Sequence, residues 1–262
     1  MKIGVFYTPG KKHIESVLEN LEKAAEENDF SLIIYDGDKE KIKDCDFIIA
    51  VGGDGTFLWA GSIIYDLDIP LLGINLGGLG FLTDIRKEEI KNVFRDIKSK
   101  NYSIQERSFL KASFKGEENI ALNDVVLSST DIRVIDLDIY INGSFVTQLS
   151  GDGLIIATPT GSTAYSLSSG GPILKPDTKA FVITPISPHA LTFRPLVLNE
   201  ESRILIKTKE KSQLIFDGQR LLTINSGEAV SVEKNKNPLK VVKFKDWDYF
   251  DILRKKLNWG NG

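Results

Sequence analysis

The chain has 262 residues, a net charge of −3 and a pI near 5.6, with 42% hydrophobic and 26% charged residues, which is the composition of a folded protein with material for one large core or two modest ones. That acidic balance argues against a general nucleic-acid binder, whose affinity comes from a basic surface facing phosphates. No apolar run is long enough for a membrane span or, at Met1 to Tyr7, for a signal peptide; Cys45 is the single cysteine and His13 and His189 the only histidines, so a disulfide, a Cys/His zinc cluster and imidazole catalysis are poorly supplied and the cytoplasm is the expected compartment.

The first hundred residues alternate strand and helix signals. Ile3 to Tyr7 reads as a strand, and Ile14, Val17, Leu18, Leu21, Ala24 and Ala25 mark one face of an amphipathic helix. Leu32 to Tyr35, Phe47 to Val51 and Leu71 to Ile74 are short continuous apolar runs, the pattern of parallel strands covered on both faces, and Lys87 to Lys98 is a further helix candidate. The expected layout is doubly wound, with ligands beyond the carboxyl ends of the strands.

One such end carries the densest signal. The run Phe47 to Val51 empties into Gly52-Gly53-Asp54-Gly55-Thr56 and continues as the helix-compatible Phe57-Leu58-Trp59-Ala60. Glycines permit positive φ and close backbone approach, and a helix N-terminus favours anions, so Gly52, Gly53, Gly55 and Thr56 are the candidate phosphate loop. Asp54 is out of place among anion-binding groups. It either caps a helix beginning near Thr56 or has a task of its own, such as taking a proton from an alcohol or holding a metal. Neither the Walker loop nor the dinucleotide fingerprint is present, since Leu58 occupies the place of the fingerprint's third glycine.

Beyond about residue 100 the pattern turns to short strands: Leu110 to Phe114, Ile120 to Leu127, Val134 to Ile141, Phe145 to Leu149, Leu154 to Ala157, Ala180 to Thr184, Arg203 to Thr208, Gln213 to Phe216 and Ala229 to Val232. Asn142-Gly143 is a hairpin cue, and Leu137 to Ile141 alternates with period two, so a β-sandwich is expected. Trp247 to Trp259 returns to helical character, with Tyr249, Phe250, Leu253 and Leu257 on one side. The expected division is 1–100 as a Rossmann-like α/β domain, 101–235 as the β-sandwich and 236–262 as a C-terminal segment.

Three further segments carry polar chemistry. Gly151 to Pro172 places glycines and hydroxyls directly after an apolar strand, as either a capped Ser/Thr loop or a turn offering small side chains to a flat polar ligand. Asn123-Asp124 is an amide and carboxylate pair fit for ribose hydroxyls or for an edge-strand turn. Gly77-Gly78-Leu79-Gly80-Phe81 is a glycine loop ending in an aromatic that belongs either to a base-stacking site or to the core.

In this order the Gly-Gly-Asp-Gly-Thr loop, the Asn-Asp pair and the run from Gly151 to Pro172 resemble the NAD kinase family over essentially the whole chain. Lipid kinases of the diacylglycerol and sphingosine type share the first loop, and the long second motif separates the two groups. The resemblance implies a Rossmann-like domain, a β-sandwich domain and a C-terminal segment returning to the first domain. It also implies transfer of the ATP γ-phosphoryl group to the adenosine-ribose 2′-hydroxyl of NAD by a homodimer or homotetramer. Asp54 matches the catalytic aspartate and Gly55 lies beside it at the phosphates. Asn123 and Asp124 match the ribose-holding pair, Thr163, Ala164, Tyr165 and Ser168 the adenosine-contacting stretch, Phe81 an aromatic near the adenine and Asp152 a carboxylate near the nicotinamide end. Arg133 and Gln219 occupy less sharply defined positions. No all-protein metal cage is evident, so Mg²⁺ or Mn²⁺ is expected to arrive on ATP. Two alternatives stand beside this reading: a lipid kinase, which wants a basic membrane-facing surface, and a nonenzymatic dinucleotide sensor, which has no use for Asp54.

Overall fold

In the computed structural model, which describes residues 1–131, 133–245 and 247–260, two compact units are distinct: Met1–Glu106 with Leu239–Gly262, and Arg107–Pro238. The first is an α/β layer structure. In chain order it holds β1 (Lys2–Tyr7), α1 (Ile14–Glu27), β2 (Ser31–Ile34), β3 (Phe47–Gly52), α2 (Asp54–Ile64), β4 (Leu71–Asn75), β5 (Ile85–Arg86), α3 (Ile90–Lys98) and β6 (Tyr102–Arg107). The second unit runs through β7 (Leu110–Phe114), β8 (Glu117–Ala121), β9 (Asp124–Ser129), β10 (Ile135–Ile141), β11 (Ser144–Gly151), β12 (Gly153–Ala157), α4 (Tyr165–Ser168), β13 (Ala180–Ile186), β14 (Leu196–Asn199), β15 (Ile204–Thr208), β16 (Ser212–Phe216), β17 (Arg220–Ile224) and β18 (Ala229–Lys234). The chain then rejoins the first unit with β19 (Leu239–Phe244) and α5 (Tyr249–Leu257).

The first sheet has the order β2-β1-β3-β4-β19-β6, with β5 also paired to β4. Strands β1, β2, β3 and β4 are parallel, and β19 joins them in parallel through Val241 opposite Leu71. Every residue of β3 and β4 is buried, which explains their unbroken apolar runs: with helices on both faces, neither face needs a polar side chain. One core joins Val17 and Leu21 of α1, Ile49 and Leu72 of the sheet, and Val93 and Phe94 of α3. The C-terminal return is thus a strand and a helix built into this unit. On α5 the buried face is Tyr249, Ile252 and Leu253, whereas Phe250, expected on the apolar side, is exposed.

Two antiparallel sheets, β11-β10-β15-β18-β7-β8 and β14-β13-β12-β9-β16-β17, make the second unit a β-sandwich. Ile135, Leu137, Ile139 and Ile206 from one sheet meet Val125, Leu127, Leu154, Ile156 and Leu214 from the other in a single core. Asn142 and Gly143 form the two-residue turn between β10 and β11, both at positive φ (51° and 82°). The expected single strand Ile120 to Leu127 is two: β8 ends at Ala121 and β9 begins at Asp124, and each pairs in a different sheet. The break at Leu122-Asn123 is where the chain crosses between layers.

Candidate active site

In the first unit the glycine loop ends β3 and opens α2. The helix begins at Asp54, two residues earlier than the sequence suggested, with Gly53 as an extended N-cap residue (φ −116°, ψ −172°) and no side-chain cap. Positive φ is therefore not what this loop asks of its glycines: Gly52, Gly53 and Gly55 are all absent from the left-handed region. Gly52 is needed for space, since a Cβ there would stand 2.2 Å from Thr56 Oγ1. Thr56 is buried, and its hydroxyl lies 3.1 Å from that of Thr8 and 3.5 Å from Lys11 Nζ.

Asp54 does not cap its helix. Its carboxylate reaches the segment after the second glycine loop: Oδ1 accepts from the N–H groups of Leu82 and Thr83 and from the Thr83 hydroxyl, each at 3.0 Å, and Oδ2 accepts from the Phe81 N–H at 3.0 Å. One oxygen is saturated while the other retains accepting capacity toward a ligand. Thr83 is held in turn by Asn75, whose side-chain amide donates to its carbonyl at 3.1 Å and its hydroxyl at 2.8 Å. Gly80 makes this close approach possible, because a Cβ there would meet Asp54 Oδ1 at 2.2 Å. The capping reading of Asp54 is thereby replaced, and Thr83, which carries no sequence signal of its own, is the residue that reasoning missed.

A cavity of about 450 Å³ opens at this point, lined by Gly52, Gly53 and Asp54, by Asn75 to Gly80, and by Lys11, Lys12 and Lys256. Among the described residues Asp54 is the one carboxylate that lines it. Phe81, half-buried beside it, has Lys256 Nζ 5.5 Å from its ring centroid. Three lysines and the positive end of the α2 dipole give this cavity the electrostatics an anion requires. A divalent cation brought by a phosphate chain fits it, since one carboxylate suits an ion that keeps phosphate and water ligands; among the described residues no group of three or more His, Cys, Asp or Glu forms a cage.

In the second unit the strand break presents Asn123, half-buried, and Asp124, 5% exposed. Asp217, in the turn after β16, gathers the break: its carboxylate accepts the N–H groups of Leu122, Asn123 and Asp124 at 2.9, 2.7 and 3.1 Å. Burial, with the neighbouring Asp217 charge, pushes the Asp124 carboxyl up to about 7, and burial raises Asp217 to about 6 against the opposing pull of those N–H donors. The loop after β12 packs on the same break, with Thr158 donating from its N–H to the Asn123 carbonyl (2.9 Å) and from its hydroxyl to the Leu122 carbonyl (2.5 Å).

The hydroxyl-rich run is thus partly structural. Thr158, Ser162 and Ser166 are buried and spend their hydroxyls on the chain itself, on Leu122, on Pro159 and Leu174, and on Thr184 respectively. Tyr165 and Ser168 of α4 are exposed, and Thr163 and Ala164 half-buried, beside that scaffold. Asp152 is exposed at the single residue between β11 and β12, with its backbone held by Ile186 and Ser129. Arg133 and Gln219 are also exposed, Gln219 one residue beyond the Asp217-Gly218 turn. Sequence reasoning passed over Asp217; the Asp-Gly pair between two strands was its available signal.

Two comparisons of families and one of folds agree. The family model described as the ATP-NAD kinase N-terminal domain matches residues 2–102, and that of the ATP-NAD kinase C-terminal domain matches 122–244. An NAD kinase of Sulfurimonas denitrificans is 37% identical, covering 99% of this chain and 97% of its own, and one of Clostridium botulinum is 40% identical over 87% and 84%. Among solved structures, yeast NADH kinase complexed with NADH superposes with a TM-score of 0.94 at 26% identity, covering 100% of this chain and 88% of that one. An Archaeoglobus fulgidus NAD kinase in complex with ATP gives 0.84 at 28% identity, covering 98% and 99%. With both family domains matched in order and relatives of this identity along nearly its full length, the chain belongs to the NAD kinase family, a family of phosphotransferases.

Proposed function

We propose that the protein transfers the γ-phosphoryl group of ATP to the 2′-hydroxyl of the adenosine ribose of NAD, with Asp54 as the base. The observation that carries this reading is the Asp54 carboxylate: immobilised through Oδ1, it keeps Oδ2 available in a cavity whose other charged lining groups are lysines. A loose phosphoryl-transfer transition state asks for alignment and charge neutralisation more than for covalent help. Asp54 Oδ2 orients the hydroxyl and takes its proton, while the loop of Gly52, Gly53, Gly55 and Thr56 lies along the phosphates at the positive end of α2. Mg²⁺ or Mn²⁺, when bound with ATP, would supply further neutralisation of the phosphate oxygens, held by those oxygens and by water. Asn123 and Asp124 hold the adenosine ribose, Thr163, Ala164, Tyr165, Ser168 and Phe81 contact the adenosine, and Asp152, Arg133 and Gln219 serve the remainder of the dinucleotide.

The same reading makes the enzyme a cytoplasmic homo-oligomer, dimer or tetramer, to be measured by light scattering. Incubation with Mg-ATP and NAD, followed by detection of NADP with an NADP-specific dehydrogenase, tests the reaction. Phosphorylation of diacylglycerol or sphingosine without NADP formation would overturn it.

A further inference from the structure

Several lysines of this chain, Lys23, Lys91 and Lys100 among them, pair with no carboxylate among the described residues, but three such lysines meet at one cavity. Along α5, Lys255 reaches Asp251 at 2.5 Å and Arg254 reaches both Asp248 at 3.8 Å and Asp251 at 3.5 Å, so two carboxylates answer the two outward cations of the last turn. Lys256, the next residue, has no carboxylate within 4 Å among the described residues, and the same holds for Lys11 and Lys12. These three are the lysines that line the Asp54 cavity. In a chain of net charge −3, three unneutralised cations at one cavity call for an anionic ligand.

The placement of Lys256 is set by helical geometry. It follows Tyr249, Ile252 and Leu253 by seven, four and three residues, so it shares the face that α5 buries in the first unit. Its ammonium stands 5.5 Å from the centroid of Phe81, whose own N–H donates to Asp54 Oδ2 at 3.0 Å. Lys11, at the other side, lies within 3.5 Å of Thr56 Oγ1 in the first turn of α2.

We propose that Lys256, with Lys11 and Lys12, grips the phosphate chain of the donor nucleotide, so that the C-terminal helix supplies the cation that neutralises the chain during transfer. This rests on the kinase reading above. A lysine suits the task as a compact point charge on a flexible stem, and no bond to it forms or breaks. The Phe81 ring, 5.5 Å from its ammonium, limits where that charge can stand.

Lys256→Met keeps an unbranched side chain of similar length and removes the charge. Its kcat/KM for ATP is expected to fall about 30-fold or more, its KM for NAD to stay within about twofold, and Lys256→Arg to restore about a third of the loss or more. Added KCl should weaken ATP binding less in Lys256→Met than in the wild type, because one screened pairing is gone. Lys255→Met, on the neutralised outer face, is expected to behave as wild type in every measurement. Calorimetric titration of ATP without NAD reads the same difference with no turnover, and thermal melts confirm that each variant is folded. Equal ATP affinity in folded Lys256→Met and wild type would overturn the assignment and leave the kinase reading standing. A wild type that binds ATP more tightly than Lys256→Met but makes no NADP would support the phosphate grip and remove the kinase reading.

Discussion

Asp217 and Asp124 hold each other's backbones: the N–H of Asp217 donates to the Asp124 carbonyl at 3.0 Å, and the N–H of Asp124 donates to the Asp217 carboxylate at 3.1 Å. The pairing of Phe216 with Val125 between β16 and β9 brings the two residues side by side. Two carboxyls are thereby set next to each other, Asp217 half-buried and Asp124 buried, and Asp124 is presented beside Asn123 without a hydrogen-bonding partner among the described residues. That arrangement costs stability, and the cost depends on pH.

Below about pH 4 the Asp124 carboxyl is neutral in folded and unfolded chains alike. From there to about 7 the folded chain keeps a proton that the unfolded chain has released, so this group's effect is to lower stability as pH rises, and above about 7 the full penalty is present. Asp124→Asn is therefore expected to exceed the wild type in stability at about pH 8 by on the order of 2 kcal/mol, and to lose that advantage near about pH 4.5. Its NAD KM should rise about tenfold, since the ribose loses a charged acceptor. Urea denaturation at the two pH values checks the first part. A stability difference independent of pH would contradict it.

Asp54→Asn keeps the shape of the side chain and removes the basic oxygen. Turnover is expected to drop by about 10²-fold or more, with the melting temperature also lowered because an amide NH₂ now faces either the Phe81 N–H or the Thr83 donors. The thermal cost should be about 1–2 kcal/mol. Near-normal turnover of the folded variant would remove Asp54 from the chemistry.

Thr83→Val is isosteric and removes the one side-chain donor to Asp54 along with an acceptor for Asn75. A loosened carboxylate should cost about tenfold in kcat, with both Michaelis constants little changed, and Thr83→Ser should recover most of the loss. If Thr83 serves only the fold, Val and Ser variants will differ in melting temperature but share the wild-type kcat.

Gly52 and Gly53 separate space from chemistry. A Cβ on Gly52 would collide with Thr56, whereas one on Gly53 meets nothing within 4 Å. Gly52→Ala is expected to destabilise the protein by about 1–3 kcal/mol, and Gly53→Ala to leave the melting temperature unchanged while raising the ATP KM by obstructing backbone approach to phosphate. Equal melting temperatures for the two variants would refute the distinction.

The amino-acid sequence by itself determined the covered parallel strands, a helix after the glycine run and the Asn142-Gly143 hairpin, and it singled out the Asp54, Asn123 and Gly151-to-Pro172 segments, because hydrophobic period and turn chemistry act over a few residues. Strands β5, β6, β14, β17 and β19 escaped it, β5 because the two residues Ile85–Arg86 carry no period. Tyr102–Arg107, Leu196–Asn199 and Arg220–Ile224 are largely exposed edge or outer strands with weak apolar pattern, and Leu239–Phe244 is a strand through its place beside β4. Tertiary structure alone decided that Asp54 binds Leu82 and Thr83 rather than its own helix, that Asp217 gathers the N–H groups of residues 122 to 124, and that Lys256 stands over Phe81. Each of those pairs joins residues whose neighbourhood depends on strand register and helix packing across long stretches of chain, and a hydrogen bond at 3 Å leaves no trace in the local spacing of either partner.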